Sequence, residues 1–247
     1  MSNIIQEQNL KFPVVTIMFD DGFSSVYNEA FPILESFGYP ANVAVNGSTI
    51  DKSGFLTKQQ LKELLNKRWA LSDHTYSHVN CKAADATKIE NEIIANQKAV
   101  YDLFCYKFRD FVFPQSRVSD LSLNVILSYY PIAFTGTTRI IGEGFPFNQR
   151  LLKRTEIATY ETLLYLTKFS VFAKKLKRYL LDLSNKKRFE WIILFTHNVL
   201  DSPGFFDTRK SIFKQILDDI HSTEIPVMTT AEVIDHILNN TKGQKVF

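Results

Sequence analysis

Apolar residues along this chain fall into two alternating patterns: compact runs, and longer stretches in which they recur at helical spacing. The compact runs are Val14 to Phe19, Ala41 to Val45, Trp69 to Ser72, Phe111 to Phe113, Ile132 to Thr135, Trp191 to Phe195 and Val227 to Thr229. They read as strands, the first bounded by Pro13 and the fourth stopped by Pro114. Between them, Val26 to Phe37 sets Val26, Ala30, Ile33, Leu34 and Phe37 at helical spacing, with Gly38 as the expected stop. Thr57 to Lys67 reads as a helix with Thr57 as N-cap and Leu61, Leu64 and Leu65 facing inward. Ala86 to Tyr106, Leu121 to Tyr129, Thr208 to His221 and Ala231 to Asn239 read as further helices. Strands interleaved with helices predict an α/β fold, either a parallel-stranded barrel or a doubly wound sheet. Both build their active sites where the strands end.

That rule selects the titratable residues just after a predicted strand. The first strand is followed by Asp20 and Asp21, the third by Asp73, His74 and His78, and the sixth by His197. His221 and His236 fall within amphipathic helices and are given no role. Two adjacent carboxylates in a partly buried place need a cation or strong donors, and Gly22 allows the turn that would bring both to one side. Read alone, Asp20-Asp21-Gly22 is a surface turn before it is a site. His74 and His78 lie four residues apart, the spacing that puts both imidazoles on one side of a helical turn. With a carboxylate from another strand end, such a pair suits a catalytic zinc or similar divalent ion with open positions.

Composition narrows the class without naming a chemistry. A chain of 247 residues, 45% hydrophobic, is long enough for one sizeable core, and a single domain over 1–247 is expected. A net charge of +3 and a pI near 8.7 are too mild for a nucleic-acid partner. Two cysteines, Cys81 and Cys105, make no disulfide framework, and Cys81 reads as a small buried thiol. Met1 to Gln8 is polar and contains Glu7, so no secretory signal is read and the cytoplasm is the expected compartment. Tyr160 to Arg188 concentrates basic residues between helically spaced apolar ones. It reads first as a helical segment packed on the body with a solvated basic face. A sharper reading, through 168–188, is peripheral contact with the inner face of a membrane carrying lipid-linked sugar, or with the pyrophosphate of a nucleotide sugar.

Phe19-Asp20-Asp21-Gly22, His74-Thr75-Tyr76-Ser77-His78 and Phe195-Thr196-His197 resemble, in order and spacing, motifs of the NodB-homology polysaccharide deacetylases, carbohydrate esterase family four. The resemblance implies a distorted parallel (β/α) barrel of about seven strands. It implies Asp21, His74 and His78 as ligands of a divalent metal, zinc first, with cobalt or nickel as alternatives. Asp20 is then the general base and His197 the general acid that protonates the leaving nitrogen. The backbone N–H of Gln115, after the motif-three proline, is implied as an oxyanion donor.

The departures are specific. Many family members place a base-orienting arginine two residues before the motif-three proline, where this chain has Val112. Arg154 resembles an arginine that some branches carry after their fifth strand, and it or Arg117 could orient the base or bind substrate; for Arg117 an ordinary surface position is preferred. The family's fourth-motif aspartate is missing from Ile132 to Gly144, which leaves His197 without an identified partner. Asp73 stands where asparagine is usual, either bracing the ligands from behind or facing away. The expected activity is metal-dependent removal of acetyl from an N-acetylated amino sugar, in bacterial surface polysaccharide biosynthesis. A carbohydrate O-acetyl esterase and a catalytically decayed sugar-binding module are the alternatives.

Overall fold

The structure, a computed structural model, describes residues 12–144, 150–157, 163–185 and 189–240, with backbone alone for 163–171 and 238–240. Its strands are β1 (Val14–Phe19), β2 (Asn42–Val45), β3 (Ala70–Asp73), β4 (Phe111–Val112), β5 (Ala133–Thr137), β6 (Gly142–Gly144), β7 (Leu151–Glu156), β8 (Glu190–Thr196), β9 (Val199–Leu200) and β10 (Thr208–Arg209). Its helices are α1 (Phe31–Phe37), α2 (Lys58–Asn66), α3 (Ala86–Phe104), α4 (Asp120–Tyr129), α5 (Leu163–Ser184), α6 (Lys210–His221) and α7 (Thr230–Asn240). Seven parallel strands run in the order β1-β2-β3-β4-β5-β7-β8, and β8 pairs back onto β1 to close a barrel.

Alternation along the strands gives the barrel two apolar faces. Val15, Ile17 and Phe19 point outward into the layer shared with the helices. Val14, Met18, Ala44, Val112, Phe134, Leu152, Trp191 and Ile193 fill the interior. The lower end is plugged by Val233, Ile234 and Ile237 of α7. Thr230 at the start of that helix donates to Asp110, while its N–H donates to Asn42 Oδ1 at 2.9 Å. No described helix is long and apolar enough to cross a membrane.

Two strand assignments differ from the sequence pattern. Val227 to Thr229 makes a single parallel bridge, Val227 to Val15, and runs along the lower end of β1 rather than entering the barrel. The seventh barrel strand is instead β7, whose Leu-Leu-Lys-Arg-Thr-Glu sequence is not an apolar run, because its upper inward positions, Arg154 and Glu156, are charged. The barrel is distorted at this seam. β7 pairs β8 only at Thr155 and Glu156, and below them β6 pairs β8 antiparallel.

The predicted helix over 26–37 divides into a wide π turn at Val26–Ala30 and α1, consistent with Pro32, which has no N–H to continue the ladder. Gly38 ends it in the left-handed region, φ 69°. Thr57 caps α2 through a reciprocal capping box with Gln60. The described part of the basic segment packs through Leu176, Leu180 and Leu183, and Lys177 Nζ lies 2.8 Å from Asp219 Oδ1. Lys186, Lys187 and Arg188 lie outside the described residues.

Phe134 sits on the inner face edge-to-face with Trp191, ring centroids 5.6 Å apart. Phe134→Ala is expected to lower unfolding free energy by about 3–5 kcal/mol in urea denaturation. Ile94→Ala, on the exposed side of α3, should stay within about 0.5 kcal/mol.

Candidate active site

The carboxyl rim of the barrel collects Asp20, Asp21, His74, His78, Gln115, Arg117 and His197 around one cavity of about 670 Å³. Asp20 continues the inward positions of β1 above Met18, and His197 those of β8 above Phe195. Asp21 would follow Phe19 outward if the strand went on. Its φ of 70°, followed by 71° at Gly22, turns the chain so that both carboxylates reach the cavity.

His74 and His78 do not share a helical turn, as their spacing suggested. Residues 74–80 form a loop with Thr75 and His78 in the left-handed region, and the two rings meet at 5.0 Å and 63°. The loop is pinned from several sides. Asn46 Nδ2 donates to the carbonyls of His74 and Thr75, and Ser77 donates to Glu92 through both N–H and hydroxyl. Asp73 faces away from the histidines. It accepts from Tyr130 Oη at 2.5 Å, Asn96 Nδ2 at 2.8 Å and Thr75 N–H at 2.8 Å, and burial pushes its pKa up to about 6. Cys81 is buried beside this loop, where burial pushes its thiol up to about 12. It is not in the ligand cluster.

His74 Nδ1 lies 2.8 Å from the Val112 carbonyl, so it carries a proton and Nε2 faces the cavity. That Nε2 and the Nε2 of His78 each lie 3.3 Å from Asp21 Oδ1, a buried oxygen without a hydrogen-bond donor. The ligand atoms of the three residues lie within 4.8 Å of one another. Burial opposes charge on every one of these groups. Asp21 and Asp20 outweigh it at His74 and raise its pKa, whereas at His78 burial and the repulsion of His74 prevail and lower it. A buried carboxylate oxygen without a donor, facing two imidazole nitrogens, fits a divalent cation.

Arg154 supplies what Val112 cannot. It stretches up from β7 over the Phe195 ring, 4.2 Å from its centroid, and grips Asp20 with both terminal nitrogens, Nη1 to Oδ1 at 2.7 Å and Nη2 to Oδ2 at 2.9 Å. Burial alone would raise the Asp20 pKa; the guanidinium overrides it and holds the carboxyl well below the usual carboxylate range. Arg117 lines the cavity on its exposed side and makes no ion pair among the described residues. Gln115, with φ 55°, also lines the rim.

The partner of His197 is a backbone carbonyl. Its Nδ1 lies 3.3 Å from Phe206 O, which also accepts from the His197 N–H and from Thr196 Oγ1. Asn198 Nδ2 donates to Asp207 Oδ1 at 2.7 Å and ties this loop to the end of β8. His197 Nε2 is thereby turned toward Asp21 Oδ2, 4.0 Å away. Gly136 lets Phe195 and Ser116 approach from the opposite rim, because a Cβ there would meet Ser116 Oγ at 2.7 Å and Phe195 Cζ at 2.8 Å. The walls differ in character. Phe23, Phe205 and Phe206 rise on the β1 and β8 side, with Ser116, Arg117, Thr137 and Thr138 across from them. Sequence reasoning missed Glu156 and the 198–207 loop. The first sits on an unrecognised strand, and the second acts through a carbonyl that any residue carries.

The rim of this parallel barrel thus joins an Asp-His-His cluster to an arginine-gripped aspartate. Residues 7–129 match the family model described as polysaccharide deacetylase, and the chain belongs to the NodB-homology polysaccharide deacetylases. YxkH of Bacillus subtilis (strain 168), assigned to the polysaccharide deacetylases, is 24% identical over 120 residues, 49% of this chain and 43% of that protein. The poly-beta-1,6-N-acetyl-D-glucosamine N-deacetylase of Escherichia coli (strain K12) is 35% identical over 86 residues, 28% of this chain and 13% of that one. This chain thus spans less than half the length of either relative. The fold matches that of the chitin deacetylase of Colletotrichum lindemuthianum with a TM-score of 0.63 at 14% identity, over 91% of this chain and 88% of the other.

Arg154→Met should strand Asp20 as a buried unpaired charge and cost about 3–5 kcal/mol. Adding Asp20→Asn to that variant should recover most of the loss. A double-mutant cycle by urea denaturation checks this, and additive losses would contradict a buried pair.

Proposed function

We propose that this chain is a metal-dependent N-deacetylase acting on an N-acetylated amino sugar of a surface polysaccharide or its precursor. The observation that carries the reading is the meeting of Asp21, His74 and His78 with Asp20 and His197 on one cavity floor. A divalent ion held by Asp21, His74 and His78 would supply Lewis acidity toward a water and the acetyl carbonyl. Asp20, kept ionised and oriented by Arg154, takes a proton from the water as its oxygen attacks the carbonyl carbon. The N–H of Gln115 donates to the oxygen on which negative charge develops. His197 gives the Nε2 proton to the nitrogen as the C–N bond breaks, while Nδ1 keeps its own proton and donates it in a hydrogen bond to the Phe206 carbonyl. The products are acetate and the sugar amine. Similarity to a poly-beta-1,6-N-acetyl-D-glucosamine N-deacetylase supports a hexosamine substrate, and the aromatic and polar walls suit the two faces of a pyranose.

Acetate release from oligomers of N-acetylglucosamine tests this. Chelator-stripped protein should be inactive and recover with zinc or cobalt. Asp20→Asn should lower kcat about 10²–10⁴-fold, with metal still bound at one equivalent. Stoichiometric metal without acetate release from any N-acetylated sugar would overturn the reading.

A further inference from the structure

Glu156 is a carboxylate at this rim that the mechanism leaves unused. It ends β7 on the same face as Arg154, two residues earlier, so both point into the barrel mouth. Its register partner on β8 is Phe195, and His197 follows Phe195 on the same face. The carboxylate therefore enters the cavity beside the imidazole that addresses the leaving atom. Both terminal nitrogens of Arg154 are taken by the oxygens of Asp20, its Nε makes no hydrogen bond among the described residues, and the pairing of β7 with β8 is made by backbone, Ile157 N–H to Phe195 O at 2.9 Å. No side-chain hydrogen bond or ion pair reaches Glu156 among the described residues. Burial raises its pKa, a cost that a purely structural glutamate would escape by turning to solvent.

A half-buried carboxylate at a leaving group calls for a donor that becomes a cation. An acetamide carries an N–H on its leaving atom, whereas an ester carries only lone pairs there, which a carboxylate repels. Hydrolysis of the amide consumes one water, breaks C–N, forms C–O, and ends as acetate and an ammonium; hydrolysis of the ester ends as acetate, a neutral hydroxyl and a released proton. We propose that Glu156 is the specificity residue of this site, accepting a hydrogen bond from the acetamido N–H and then holding the ammonium product, so that the enzyme favours N-acetyl over O-acetyl sugars. This rests on the hydrolytic reading above and extends it to the leaving atom.

The test compares zinc-loaded wild type with Glu156→Gln on N-acetylglucosamine oligomers and on acetylated xylo-oligosaccharides, with calorimetric binding of the deacetylated glucosamine oligomer alongside. Glu156→Gln is expected to lower kcat/KM for the N-acetyl substrate roughly tenfold or more, to hold the O-acetyl substrate within about twofold or raise it, and to weaken amine binding by a similar factor. Equal losses on both substrates would assign Glu156 to the scaffold or to a sugar hydroxyl, and unchanged kinetics would remove it from the site; either result overturns the proposal. If wild type releases acetate from neither substrate, the hydrolytic reading fails, and amine binding decides for Glu156 alone. An affinity that Glu156→Gln leaves unchanged then overturns its role as the ammonium holder.

Discussion

The buried ion pair between Arg154 and Asp20 is the constraint around which the rim is built. Both side chains are almost fully buried, so each charge has lost most of its water and neither is tolerable without the other. A bidentate guanidinium fixes the direction of the carboxylate as well as its ionisation. That requirement reaches into the fold. Arg154 can grip Asp20 only from a strand inside the barrel, with Phe195 packed under its plane and the wall at Gly136 kept thin enough for that ring. The stability given up by burying the pair yields a carboxylate that stays ionised in a place where burial alone would neutralise it.

The same pair explains what the sequence could and could not announce. Six of the seven barrel strands showed as apolar runs because both of their faces are buried. β7 did not, since the residues it turns inward near the top are the site's own Arg154 and Glu156. A functional wall breaks the pattern by which strands are recognised. The count of seven nevertheless came out right, because Val227 to Thr229 imitates a strand while making one bridge to β1. Asp20, Asp21, His74, His78 and His197 were legible as titratable residues at strand ends, and the cavity does gather them. Their conformations were not legible. A four-residue spacing is met here by a loop with two left-handed residues, pinned by Asn46 and Glu92, which are distant in sequence.

His197 shows a second limit. A search for a carboxylate partner in the expected stretch finds none, yet the imidazole is held. The acceptor is the carbonyl of Phe206, a bulky residue at φ 68°, in a loop closed by Asn198 and Asp207. A main-chain oxygen has no residue type, so only the fold could reveal it. The substitution changes the physics as well as the address. A neutral carbonyl fixes the tautomer much as a carboxylate would, but it stabilises a positively charged ring less.

Two positioning groups have therefore moved while the groups they position stay in place. The proposed chemistry would use a guanidinium on Asp20 and an acceptor behind His197, and it is indifferent to which segment provides them. This chain supplies the first from β7 and the second from the loop after β8, neighbouring strands at an irregular seam of the barrel. Because β7 pairs β8 only at Thr155 and Glu156, Glu156 stands at the one part of that strand held in register with β8, and Arg154 lies just below it. The irregular seam is thus where this chain differs from its family's usual motifs, and it is also where the leaving side of the substrate would lie.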